Sequence, residues 1–135
     1  FGGEQPKDDK LKNGYYYLPT VMEVERGNCI LDEETFGPVF SLIKFKSDDE
    51  AIKIANDSDY GLAGAIFSGD EKKAQELARQ VEVGSMYINK MVESGHSLPA
   101  GGVKESGFGR EGGKYGAHEF VNIKTIFVGD GPENK

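Results

Sequence analysis

Apolar positions along this chain switch between a period of two and a period near 3.6, and Gly, Pro or cap-forming residues mark each switch. Residues 4–14 are polar, carry Pro6 and Gly14, and read as a loop. Tyr15-Tyr16-Tyr17-Leu18 has the aromatic density of a short strand stopped by Pro19. Residues 39–46 read as a strand burying one face, with Val39, Ile43 and Phe45 on it. Ser47 and Glu50 fit a capping box, and Ala51, Ile52 and Ala55 predict a short helix that stops in the turn-rich Asn56-Asp57-Ser58-Asp59. A second unit repeats the scheme. Residues 63–67 form a small-residue strand, Ser68 with Glu71 fits another capping box, and Ala74, Leu77, Ala78 and Val81 fall at helical spacing until Gly84. Residues 85–89 predict a third strand, and residues 90–118 a long glycine-rich segment of the kind that usually carries function. Residues 120–128 alternate again, with Val121, Ile123 and Phe127 on one face, and need a sheet edge to pair with. Strands alternating with helices predict an α/β layer structure.

The chain has 135 residues, which suits one domain able to bury about two thirds of the surface its unfolded form exposes. Nineteen glycines stand well above the usual share of about 7%, so backbone geometry carries much of the design. A net charge of -7, with no long run of Lys or Arg, argues against nucleic acid or an anionic membrane as partner. No apolar run reaches the length of a membrane span. Cys29 is the single cysteine, which excludes an internal disulfide and leans toward a reducing, cytoplasmic compartment. A chain that begins Phe1-Gly2-Gly3 instead of with Met is expected to have something upstream.

Three features invite functional readings that their context does not support. Gly107-Phe108-Gly109-Arg110-Glu111-Gly112 matches the GxGxxG dinucleotide pattern, but the residues before it do not form a core strand and no second strand with an acidic residue follows. Glycines allowing positive φ and close packing explain the match better. Cys29 shows neither a neighbouring base nor a helix start that would lower its pKa, and a buried or half-buried structural cysteine is expected. His96 and His118, without companion cysteines or an HxxxH spacing, propose no metal site.

Two other segments are more specific. Glu34-Thr35-Phe36-Gly37-Pro38, followed some sixty residues later by Gly101-Gly102-Val103-Lys104-Glu105-Ser106-Gly107-Phe108-Gly109-Arg110-Glu111, resembles the C-terminal part of the aldehyde dehydrogenase superfamily. The resemblance covers nearly the whole chain. It implies a fold that is part of a layered αβα catalytic domain over residues 1–118, with an oligomerisation strand and tail over residues 119–135. It also implies NAD or NADP as cofactor, an aldehyde as substrate, and homo-oligomers formed through residues 120–128.

By this resemblance Glu34 accepts hydrogen bonds from the nicotinamide ribose and Phe36 packs near the nicotinamide ring. Taken alone, each would read as a solvated charge and a core aromatic. Arg110 anchors the glycine-rich loop, and Glu111 resembles a carboxylate that relays protons toward the catalytic region, although a salt bridge within the loop would use the same residue. Residues 89–99 correspond to the loop lining the substrate mouth. Ala100 stands where many relatives carry Phe, which implies a wider aldehyde tunnel. Ser94 sits where the succinic semialdehyde branch has a hydroxyl that contacts the substrate carboxylate, a hint of a semialdehyde substrate that ordinary loop chemistry would also explain. In the family a thiolate adds to the aldehyde, hydride passes to NAD or NADP, and a carboxylate-activated water hydrolyses the thioester. The Gly-Gln-x-Cys setting of the nucleophile does not occur here, and the general-base glutamate and cofactor domain lie N-terminal to such a segment. The chain alone is therefore expected to be catalytically silent. The alternative is a truncated assembly module that keeps the fold without the activity.

Overall fold

A computed structural model of the chain describes residues 1–93 and 95–131. Among the described residues the strands pair in three two-stranded sheets. Strand β1 (Thr20–Glu23) lies parallel to β2 (Val39–Leu42), with Thr20 opposite Val39 and Glu23 opposite Leu42. Strand β4 (Ala63–Ile66) lies parallel to β5 (Ser85–Ile88), joined by helix α2 (Glu71–Ala78) in a β-α-β unit. The short β3 (Tyr60–Gly61) pairs antiparallel with β6 (Val103–Lys104), bringing the glycine-rich segment back to the middle of the chain. Helix α1 (Asp48–Asn56) connects β2 to β3, and α3 (Gly113–His118) follows the glycines.

Local signals explain much of this. Ser47 caps α1 by accepting from the Glu50 amide at 3.2 Å, while the Glu50 carboxylate accepts from the Lys46 amide at 2.7 Å, a capping box displaced by one residue. The predicted strand is shorter than expected because its pairing with β1 stops where Glu23 lies opposite Leu42. β2 ends at Leu42; Val39 and Ile43 are half-buried as the alternation requires, whereas Phe45 is exposed.

The second helix starts differently from the sequence expectation. Its cap is Asp70, which accepts from the Lys73 amide at 3.0 Å, not Ser68. Asn89 is the reason: its side-chain amide accepts from the Ser68 N–H at 2.8 Å and donates to the Ser68 carbonyl at 2.9 Å, so Ser68 belongs to the end of the sheet. Ala74 is fully buried and Leu77 and Ala78 are half-buried, but the helix ends there, leaving Val81 in the connection and Gly84 free for another task.

Two further expectations are corrected, and a third finds no partner strand among the described residues. Residues 15–18 form no strand; Tyr15, Tyr16 and Tyr17 are exposed with no ladder partner beside them, and the strand begins instead at Thr20. The glycine-rich segment is more ordered than its lack of period implies, holding β6, α3 and a bridge between Ala100 and Glu111. Residues 122–128 carry no strand, and Phe120, Ile123, Ile126, Phe127 and Val128 are exposed. An alternating segment becomes a strand only where an edge accepts it, and among the described residues none does.

Among the described residues no closed core forms. Val24 and Ala74 are the buried hydrophobic residues among them, and the accessible surface is 11565 Å². A self-contained protein of this mass, 14.7 kDa, exposes about 6,900 Å². The sequence expectation of two-thirds burial therefore fails, because each sheet has two strands and most apolar faces meet nothing.

Candidate functional site

Glu34 and Phe36 lie between a short 3-10 turn, Cys29–Leu31, and β2. Asn28 caps that turn by accepting from the Ile30 amide at 3.2 Å. The Glu33 amide then donates to the Cys29 carbonyl at 2.8 Å, closing the turn just before the exposed Glu34. Two consecutive three-residue turns follow: Gly37 donates to the Thr35 carbonyl at 2.9 Å and Val39 to the Gly37 carbonyl at 2.8 Å. The first has Phe36 at its apex, and the second has Pro38, whose ring already fixes φ. The Pro38 carbonyl accepts from the Thr20 amide at 2.8 Å and ties the turns to β1. Phe36 is thereby held outward, 95% exposed, so it is not the core aromatic that its residue type alone would suggest.

Glu34 and Phe36 line a groove of about 690 Å³ whose far side is built by Tyr60, Leu62, Ala63 and Ser106. A second groove, of about 520 Å³, is lined by Tyr87, Ala100, Arg110, Glu111 and Phe120 together with Leu62, Ala63 and Ser106. The two grooves share Leu62, Ala63 and Ser106 as a common wall.

In the second groove the loop is pinned by backbone and arginine bonds. Ala100 and Glu111 exchange amide-to-carbonyl bonds at 2.8 Å in both directions. The Arg110 guanidinium donates to the carbonyls of Gly102 at 2.8 Å and Gly109 at 2.6 Å, the anchoring role expected of it. Gly109 and Gly112 sit at φ 79 and 70, so this stretch needs glycine for its conformation. Its GxGxxG run joins an antiparallel two-residue strand to a six-residue helix, which is not the parallel β-α-β opening of a dinucleotide fold.

The structure thus brings Ala100 and Glu111 together in one groove and places Glu34 and Phe36 in the adjacent one. Ser94 lies outside the described residues. Cys29 is free and exposed at the start of the 3-10 turn, contrary to the buried structural cysteine expected, because the Gly27-Asn28 bend puts that turn at the surface. Among the described residues no cluster of three or more His, Cys, Asp or Glu side chains is placed to hold a metal. No described helix is long and apolar enough to cross a membrane.

Sequence reasoning missed three residues that shape the grooves. Tyr87 lines the second groove and donates its hydroxyl proton to the Glu93 carbonyl at 2.6 Å, holding the mouth segment. Ser106 accepts from the Gly61 amide at 3.0 Å, and Leu62 stands in the shared wall. Ser106 and Lys104, polar residues two positions apart inside a glycine-rich run, were the available signal. At the mouth, Lys90 pairs with Glu93, and that hydrogen bond, with the attraction between the charges, pulls the Glu93 carboxyl below and pushes the Lys90 ammonium above its ordinary range.

The chain is similar to known proteins. Betaine aldehyde dehydrogenase of Bacillus subtilis is 41% identical over 131 residues, covering 93% of this chain and 26% of that protein. The chloroplastic betaine aldehyde dehydrogenase of Atriplex hortensis is 44% identical over 126 residues, covering 93% of this chain and 25% of that protein. A crystal structure of a double mutant of Staphylococcus aureus betaine aldehyde dehydrogenase in complex with NAD+ superposes with a TM-score of 0.91 at 42% identity, over 98% of this chain and 27% of that one. The chain therefore spans about a quarter of the length of the curated relatives it matches. The model of the aldehyde dehydrogenase family matches residues 1–126, and this chain, a partial α/β catalytic domain of that fold, belongs to the aldehyde dehydrogenase family.

Proposed function

We propose that this chain is the C-terminal part of an NAD(P)-dependent aldehyde dehydrogenase that oxidises an aldehyde to a carboxylic acid, and that it is silent without the segments that precede it. The observation carrying this reading is the pair of grooves with one common wall: Glu34 and Phe36 line one, Ala100 and Glu111 the other. Hydride transfer needs the cofactor and the substrate brought to about 3–3.5 Å of each other, and two grooves that adjoin at shared residues can present them to one another at that junction.

The residues present fit a nicotinamide nucleotide. Ribose hydroxyls are donors, and the exposed carboxylate of Glu34 is an acceptor-only group at the groove edge. Phe36, held outward by its turn, offers an apolar face that would limit movement of the nicotinamide ring. The bound nucleotide supplies the hydride acceptor. Ala100 forms a small-residue wall of the aldehyde groove, and Glu111, fixed by its bridge to Ala100, is the candidate proton relay.

Two aldehyde classes compete within this reading. The relatives that this chain resembles at 41% and 44% identity are named for betaine aldehyde. The hydroxyl of Ser94 would suit the carboxylate of a semialdehyde. Residues 119–135 are taken as the assembly segment of a cytoplasmic enzyme, with residues 120–128 pairing with another subunit's sheet; their exposed apolar side chains support that role.

The deciding experiment measures aldehyde-dependent NAD(P)H formation by the 135-residue chain alone and joined to its preceding segments, with betaine aldehyde and succinic semialdehyde. Silence alone and turnover when joined support the reading. Turnover by the isolated chain, abolished by alkylating Cys29, would overturn it. Silence in both forms would favour an assembly module without catalysis.

A further inference from the structure

Lys104 has two features that the reading above leaves unused. Its backbone lies in the left-handed region, at φ 55, where Asn89 is the one other non-glycine residue among those described. A lysine gains nothing from that conformation by itself, so its contacts must hold it there. Its ammonium reaches out of the glycine-rich segment to three acceptors: the carbonyls of Asn56 at 2.8 Å and Ser58 at 2.9 Å, and the Glu82 carboxylate at 2.9 Å. An ammonium has three donors, and these acceptors use all of them.

Asn56 ties the same knot from the other side. Its side-chain amide donates to the Gln80 carbonyl at 2.7 Å and accepts from the Glu82 amide at 2.8 Å. The end of α1, the connection between α2 and β5, and the glycine-rich segment are therefore joined at one point. From that point the chain runs straight into the shared wall. Glu105 donates to the Asp59 carbonyl at 2.8 Å, and Gly61 donates to the Ser106 hydroxyl at 3.0 Å. Leu62 and Ala63 follow immediately and, with Ser106, face both grooves, whereas Lys104 lines neither.

We infer that Lys104 is a positioning residue for the dehydrogenase reaction: by pinning the end of α1 to the glycine-rich segment, it sets the place of the Leu62-Ala63-Ser106 wall and so the width of both grooves at once. This inference rests on the dehydrogenase reading of the two grooves. A residue acting on the common wall changes cofactor and aldehyde binding together, which no residue confined to one groove does.

The test compares wild type with Lys104→Met and Lys104→Arg in the dehydrogenase containing this sequence and its preceding segments. Methionine keeps an apolar stem and removes the donors; arginine keeps donors that can serve a carbonyl and a carboxylate. Lys104→Met is expected to raise KM for NAD(P) and for the aldehyde together, with kcat/KM falling by up to about a hundredfold, as a shift of about 1 Å in a positioning wall produces. Amide hydrogen exchange across residues 58–63 accelerates in parallel, and Lys104→Arg recovers part of each change. If Lys104→Met fails to fold, Glu82→Gln, which weakens one of the three bonds, shows the same paired change at smaller size. Unchanged KM values beside a lowered Tm, or a change in one KM alone, overturn the inference. Should wild type show no aldehyde-dependent reduction of NAD(P), the dehydrogenase reading fails, and the exchange rates decide separately: acceleration at residues 58–63 upholds the pinned wall, and unchanged rates overturn it.

Discussion

Gly84 lies so close to the carbonyl of Gly101 that a Cβ on Gly84 would stand 1.6 Å from that oxygen. The start of β5 and the glycine-rich segment are in backbone-to-backbone contact, and no side chain is available to yield. Gly84→Ala must therefore push the loop away from the sheet. A loss of about 3 kcal/mol, at the upper end of overpacking costs, is expected in urea unfolding of the dehydrogenase. An unchanged midpoint would show that the two segments do not touch.

Arg110 holds the same loop through its guanidinium Nη1, which donates to the carbonyls of Gly102 and Gly109. Lysine carries the charge but not the fixed planar geometry that aims both N–H bonds of that nitrogen. Arg110→Lys should cost about 1–2 kcal/mol and raise the aldehyde KM more than the cofactor KM. Equal stability of the two forms would count against the anchoring role.

Glu34→Gln removes the charge from the proposed ribose acceptor and leaves its size. Hydrogen bonds to an ionised acceptor contribute about 1.5–3 kcal/mol, so KM for NAD(P) should rise about tenfold or more with the aldehyde KM unchanged. Isothermal titration with the cofactor reads this directly. Undiminished affinity would remove Glu34 from the site.

Ala100→Phe puts an aromatic ring into the second groove, opposite the Glu111 backbone. Bulky aldehydes should lose about tenfold in kcat/KM, the discrimination that roughly 1.4 kcal/mol of steric cost produces, while small aliphatic aldehydes are little affected. A uniform change across aldehyde sizes would mean that Ala100 does not line the substrate path.

The Lys90–Glu93 pair at the mouth titrates with a definite sign. The Lys90 ammonium lowers the Glu93 carboxyl below its ordinary range, so its contribution is full above the ordinary carboxylate pKa and is lost as pH falls through the lowered folded value. Glu93 raises the Lys90 ammonium, and that contribution is full below the ordinary lysine pKa and is lost as pH rises through the raised folded value. Lys90→Met should return the Glu93 carboxyl to its ordinary range in an NMR titration. A carboxyl that stays depressed would assign the shift to another partner.

Some elements were legible residue by residue. The Ser47-to-Glu50 cap, the helix that follows it, and strands over residues 63–66 and 85–88 all form where the pattern puts them, because caps and alternation depend on neighbours a few positions away. The Glu34-to-Pro38 element was legible only through its family resemblance; the two three-residue turns that hold it were not read from the sequence. The cap of α2 was not, because Asn89, 21 residues on, takes both backbone groups of Ser68. Residues 15–18 and 120–128 read as strands from composition, yet strand formation needs an edge that composition does not reveal.

By itself, the sequence determined the α/β alternation, the family, the two segments that line the grooves and the absence of the Gly-Gln-x-Cys setting from these 135 residues. Only the tertiary structure decided that those segments share one wall, that Gly84 must be glycine for contact with Gly101, and that Lys104 binds Asn56 and Ser58. The physical reason is range. Propensity, capping and turn chemistry act within a turn or two of the chain. The bonds that set the wall join residues 45 to 48 positions apart, and they exist only once the intervening strands have brought those backbones within reach.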